Sequence, residues 1–105
     1  MTPKNPYSIK ATVYTNGRKR ELDGPWRSTV QFAVNAFAEQ LQKAGLDNTI
    51  LFRPFVAERC EAADAPMADT KGNYYRECPT SNLNDLLTAA GLRTDPTQPT
   101  KKGVS

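Results

Sequence analysis

The sequence predicts an α+β domain: a small three- or four-stranded, mainly antiparallel sheet with one long and one short helix packed on a face, in the order ββαβ(β)α. Three observations carry this prediction. An alternating stretch from Ser8 to Thr15 runs into Asn16-Gly17 and returns. A helical stripe of apolar residues follows, from about Thr29 to Ala44. A shorter stripe, Asn82 to Ala90, runs into the same Ala-Gly-Leu ending as the first.

In the first stretch Ile9, Ala11 and Val13 occupy one face and Lys10, Thr12 and Tyr14 the other, the period of a half-buried strand. Asn16-Gly17 is the strongest short hairpin signal, because both residues tolerate the positive φ of a type I′ turn. A two-residue loop then sets Thr15 opposite Arg18, Tyr14 opposite Lys19, Val13 opposite Arg20 and Ala11 opposite Leu22. On that register Lys10, Tyr14 and Lys19 share the solvent face, and Arg18 and Arg20 lie near the tip of the apolar face, beyond the core. A slip of one residue would reverse the faces of the second strand and leave the tip basic.

Asp23-Gly24-Pro25 breaks the strand. Trp26, just ahead of the helix, is expected to close one end of the core with its indole N–H near the surface. Ser28 and Gln31 fit a capping box, in which each side chain satisfies a backbone N–H of the other. Val30, Val34, Phe37 and Leu41 recur at helical spacing, with Gln31, Asn35, Glu39, Gln42 and Lys43 on the wet face. Gly45 suits the position after the helix, and Leu46 the apolar contact of a Schellman motif.

Asn48 to Val56 predicts a third strand, in which Pro54 marks an edge or a bend because it cannot donate to a ladder. Ala57 to Gly72 is acidic and predicts an irregular connection, and Asn73 to Cys78 a fourth strand paired on the third. Thr80 or Ser81 is placed to cap the second helix, whose Leu83, Leu86, Leu87 and Ala90 face inward before Gly91-Leu92.

The 105 residues suit one domain with one core. The hydrophobic fraction, 38%, is somewhat low, and the ends account for it. Residues 1–6 and 94–105 offer almost nothing apolar to offset chain entropy, so disordered tails are expected around a domain of residues 7–93. No stretch approaches the roughly 20 apolar residues of a membrane span, and the N-terminus lacks the apolar region of a secretory signal, so a cytoplasmic protein is expected. The net charge of +3 is uneven. Residues 1–55 hold eight bases against four acids, residues 56–105 six against seven. The first twenty residues hold five bases and no acid.

The absence of histidine removes Ser-His-Asp and Cys-His triads, histidine metal sites and the commonest general base. Cys60 and Cys78 are too few for a structural zinc site, and in a reducing compartment they predict two thiols rather than a disulfide. Asp69-Thr70-Lys71, with Asp64 upstream, matches a fragment of a metal-nuclease pattern, but the acids fall in a Pro/Ala-rich loop, a poor platform for a positioned metal. The glycines are scattered and form no phosphate-binding loop. The expectation is therefore a protein without catalytic activity, metal or cofactor, with no small-molecule substrate and no membrane partner.

Two surfaces are candidates for a partner. Arg18, Lys19 and Arg20 at the turn, with Lys10 and Tyr14 alongside, predict a basic hairpin for nucleic acid: the cations neutralise phosphates and the tyrosine stacks on an unpaired base. Charges at a hairpin tip also serve simply to block edge-to-edge pairing. The alternative is a stoichiometric regulator or inhibitor that binds a protein partner. It would use Glu58, Glu61, Asp64 and Asp69 of the acidic connection with Tyr74, Tyr75 and Arg76, a composition similar to protein-binding hot spots. Size, polar surface and tail composition resemble those of small accessory proteins of phages or plasmids.

Overall fold

The computed structural model describes residues 5–69 and 71–94. Strands β1 (Tyr7–Thr15) and β2 (Arg18–Asp23) form the hairpin in the predicted register, from Thr15 opposite Arg18 to Ala11 opposite Leu22. Asn16 and Gly17 hold φ of 53° and 77°, the two positive values that a type I′ turn requires.

Helix α1 (Val30–Lys43) starts one residue later than the capping-box pattern implies. Thr29, in extended backbone, is the cap, and its hydroxyl accepts from the Phe32 N–H at 3.1 Å. Gln31 instead donates along the helix to Asn35, so Ser28 and Gln31 form no box. The helix ends as expected. Gly45 turns left-handed, the Leu46 N–H donates to the Leu41 carbonyl (2.8 Å) and the Gly45 N–H to that of Gln42 (3.2 Å), which are the two bonds of a Schellman motif. Helix α2 (Leu83–Ala89) repeats this ending through Gly91 and the Leu92 N–H on the Leu87 carbonyl. Its start has no side-chain cap from Thr80 or Ser81. The Thr80 carbonyl, rather than its hydroxyl, accepts from the Leu83 N–H.

Among the described residues the sheet has six strands, not three or four. Strands β3 (Ile50–Arg59), β4 (Met67–Ala68) and β5 (Tyr74–Cys78) complete the antiparallel order β2-β1-β3-β5-β4, and β6 (Arg93–Thr94) runs parallel to the start of β3. The two additional strands, β4 and β6, are two residues each, too short to show a period. The acidic connection is correspondingly less irregular than predicted. β3 continues through Arg59, a single 3-10 turn occupies Ala62–Asp64, and β4 pairs with β5.

Pro54 lies in the central strand, not at an edge, and a β-bulge accommodates it. Arg53 adopts φ 51°, and the pairing with β1 jumps from Thr12 opposite Phe52 to Lys10 opposite Phe55. One extra residue on β3 changes the phase of its side chains. Leu51 and Val56, five apart, therefore both enter the core.

That core joins Ile9, Val13 and Leu22 of the hairpin to Val34, Phe37 and Leu41 of α1, with Leu51, Val56, Leu83 and Leu87. Phe37 packs so closely on the chain after β2 that a Cβ on Gly24 would stand 2.9 Å from its ring and 2.9 Å from the Ile9 carbonyl oxygen. The Gln40 amide donates to the Asp23 carbonyl and ties α1 to the same place. Of the ends expected to be disordered, residues 1–4 and 95–105 lie outside the described residues. The Pro6 carbonyl accepts from the Arg59 N–H, and Thr94 pairs with Leu51. Among the described residues, no helix is long and apolar enough to cross a membrane.

Candidate nucleic-acid interface

The tight turn fixes the basic tip. Arg18, Lys19 and Arg20 are all exposed. Lys19 lies 4.0 Å from Glu21 with both side chains largely in solvent, a pair that holds little energy. Tyr14, opposite Lys19, is 52% exposed and meets the half-buried Phe52 edge to face, ring centres 5.2 Å apart. Phe52 reaches it because β3 lies against β1 up to Thr12.

Lys10 does not join this surface. It points to the face of the sheet opposite the helices, as its alternation implies, but it is only 3% exposed. The chain after β2 folds Trp26 over it. The Lys10 ammonium lies 3.0 Å from the Asp23 carboxylate, 4.8 Å from the Tyr75 ring centre and 5.3 Å from that of Trp26. Trp26 thus covers the second face of the sheet rather than closing the helix-side core. Arg59 stacks on the same indole at 4.8 Å, and Phe55 stacks on Tyr75. A cleft of about 350 Å³ opens beside Trp26, between Asp23, Gln40, Asp69 and Lys71.

The residues of the acidic alternative are not gathered into one patch. Glu58 pairs with Arg76 at 3.4 Å. Glu61 and Asp64 are exposed around the 3-10 turn. Asp69 turns back on its own loop: one carboxylate oxygen accepts from the backbone N–H groups of Lys71 and Asn73, and the other from the Asn73 amide. Burial alone would raise its pKa, but those hydrogen bonds and the Lys10 charge outweigh it and hold the carboxyl below 3.8. Tyr74 is exposed, whereas Tyr75 is buried on the second face. Burial there, with the charges of Asp23, Asp69 and Glu21, pushes the Tyr75 hydroxyl above 10.0.

Among the described residues, no group of three or more Cys, Asp or Glu side chains is placed to hold a metal ion. Cys60 and Cys78 are free thiols. Cys78 sits opposite Val56, while the Cys60 N–H donates to the Tyr74 carbonyl. Four strand residues, about 13 Å, therefore separate the thiols along the ladder, well beyond the reach of a disulfide.

The structure adds Phe52, Phe55, Trp26 and Arg59 to the surface beside the hairpin. In a regular strand Phe52 and Phe55, three apart, would face opposite ways, and only the bulge brings them to one face. Comparison of the chain with protein-family models, with curated proteins and with solved structures finds no match.

Proposed function

We propose that this protein is a non-enzymatic nucleic-acid-binding module that works through the tip of its β1–β2 hairpin. The observation that carries the reading is the triplet Arg18, Lys19 and Arg20, exposed directly after a two-residue turn, with Lys19 opposite a half-exposed Tyr14. Arg18 and Arg20 take part in no ion pair among the described residues, so their charges are available to phosphates. Lys10 is left out of the contact set because Asp23, Trp26 and Tyr75 already enclose it. A protein partner for the acidic connection has less to hold, since Asp69 is turned inward and Glu58 is paired.

The test is a fluorescence-anisotropy titration of labelled oligonucleotides at about 50 and 200 mM salt, the range over which phosphate contacts weaken. Each of Arg18→Ala, Lys19→Ala and Arg20→Ala is expected to weaken binding and lower the salt slope by about one. A triple variant that keeps its affinity would overturn the proposal.

A further inference from the structure

The face of the sheet opposite the helices carries a row of rings. Tyr14 stands at the hairpin end and meets Phe52. Phe52 lies opposite Thr12 and Phe55 opposite Lys10, so the two phenylalanines are one strand repeat apart, about 7 Å. Phe55 stacks on Tyr75, and Trp26 lies beside Tyr75 with ring centres 6.1 Å apart. Tyr14 is exposed and Phe52, Phe55 and Trp26 are half-buried, so these four rings meet solvent, while Tyr75 lies buried between Phe55 and Trp26. A cation stands at each end: Lys19, opposite Tyr14, and Arg59 on the Trp26 indole, while Arg18 and Arg20, opposite Thr15 and Val13, leave the hairpin tip on its other face. Of the acids near the row, Asp23 is paired with Lys10, Glu21 lies 4.0 Å from Lys19, and Asp69, beside Trp26 with Lys71, is hydrogen-bonded within its own loop.

We infer that the ligand of the hairpin is a single strand, laid along this row with bases stacked from Tyr14 toward Trp26. This rests on the nucleic-acid reading above and names its substrate class. A duplex presents phosphates but hides the faces of its bases. Only an unpaired strand can use a line of rings, and stacking is sequence-tolerant because every base has a π-face. The arrangement combines the two parts such a site needs, aromatic platforms and a cationic margin for the backbone.

The experiment uses the full chain with a labelled ~12-nucleotide oligothymidine and a duplex of the same length, within the usual span of such sites. Anisotropy measures affinity, and Trp26, the single tryptophan of the chain, reports stacking at the far end of the row. The expected result is tighter binding of the single strand with quenching of Trp26 emission. Tyr14→Ala should lose about five- to a hundredfold in single-strand affinity, and Tyr14→Phe, which keeps the ring, should lose little. Phe55→Leu, which keeps the packing, should also weaken the single strand. Equal binding of both forms, unmoved by Tyr14→Ala and without quenching, would overturn the row and leave the hairpin reading standing. Single-strand binding that leaves Trp26 emission unchanged would also overturn it, confining the strand to the tip. No binding of either form at low salt would overturn both readings and leave the row to a protein partner.

Discussion

The ammonium of Lys10 is held 3.0 Å from the Asp23 carboxylate, and the two residues meet the pair differently: the lysine side chain is almost wholly enclosed, the aspartate mostly in solvent. The lysine stem fills space among Trp26, Tyr75 and Phe55, as a long amphipathic side chain does when its charge finds a partner at the edge of the packed region.

This asymmetry orders three substitutions. Lys10→Met keeps the stem and loses only the charge contacts, at a cost of about 1 kcal/mol. Asp23→Ala leaves an enclosed ammonium without its contacting carboxylate and costs more, about 2 kcal/mol. Lys10→Ala opens a cavity and costs about 2–4 kcal/mol. Urea unfolding midpoints check the order, and an Asp23→Ala midpoint above that of Lys10→Met contradicts it.

Gly24 is a packing constraint rather than a turn. Gly24→Ala brings a methyl to 2.9 Å from both Phe37 and the Ile9 carbonyl, whose oxygen already accepts from the Gly24 N–H. The expected loss is about 1–3 kcal/mol, the usual cost of overpacking, measured by the same unfolding experiment.

Asp69 sets an acid limit on its loop. Its carboxyl titrates below the ordinary value in the folded chain, so its contribution to stability is present above about pH 4 and is lost as pH falls through the folded pKa. Asp69→Asn removes an acceptor facing the Asn73 amide. The variant should be less stable than the parent at neutral pH, and the gap should close on acidification. A gap that is constant with pH would count against this role.

Tyr75 sets the opposite limit. Its hydroxyl is held protonated in the fold, so the stability that this confers is present below about pH 10 and is lost as pH rises through the raised folded pKa. Tyr75→Phe keeps the ring under Lys10 and should flatten the alkaline fall in stability, read from unfolding midpoints across that range.

The two thiols should remain independent. Thiol titration of the unfolded, unreduced protein should find two free groups per chain, and reductant should leave the unfolding midpoint of the folded protein unchanged. A reductant-sensitive midpoint would contradict the β3–β5 register that keeps Cys60 and Cys78 apart.

What could be foreseen from the residues was what local chemistry decides. Asn16-Gly17 determines its turn, and the turn determines the whole register of β1 and β2. Gly45 and Gly91 end their helices by the same pair of backbone bonds. Features made by distant partners left no such mark. Alternation put Lys10 on the right face, but nothing near it announces that Trp26, sixteen residues on, will cover it. Thr29 displaced Ser28 as the cap because both hydroxyls are chemically able and the fold of the preceding chain chooses between them. Arg53 at positive φ carries no signature in an arginine, so the change of phase that aligns Phe52 and Phe55 was not legible, and neither was the aromatic row.

The bulge at Arg53-Pro54 makes the protein sensitive to indels in a way that substitutions cannot match. Side chains before it and after it follow different parities, and one residue is the whole difference. Deleting that residue would turn Phe55, Ala57 and Arg59 toward the helices and send Val56 and Glu58 outward, exchanging interior and exterior along half of the central strand. Both layers of the molecule, the helix-covered core and the ring-lined face, thus hang on a single count of residues, and a frame-preserving deletion at this point should be far less tolerated than any exchange of one side chain there.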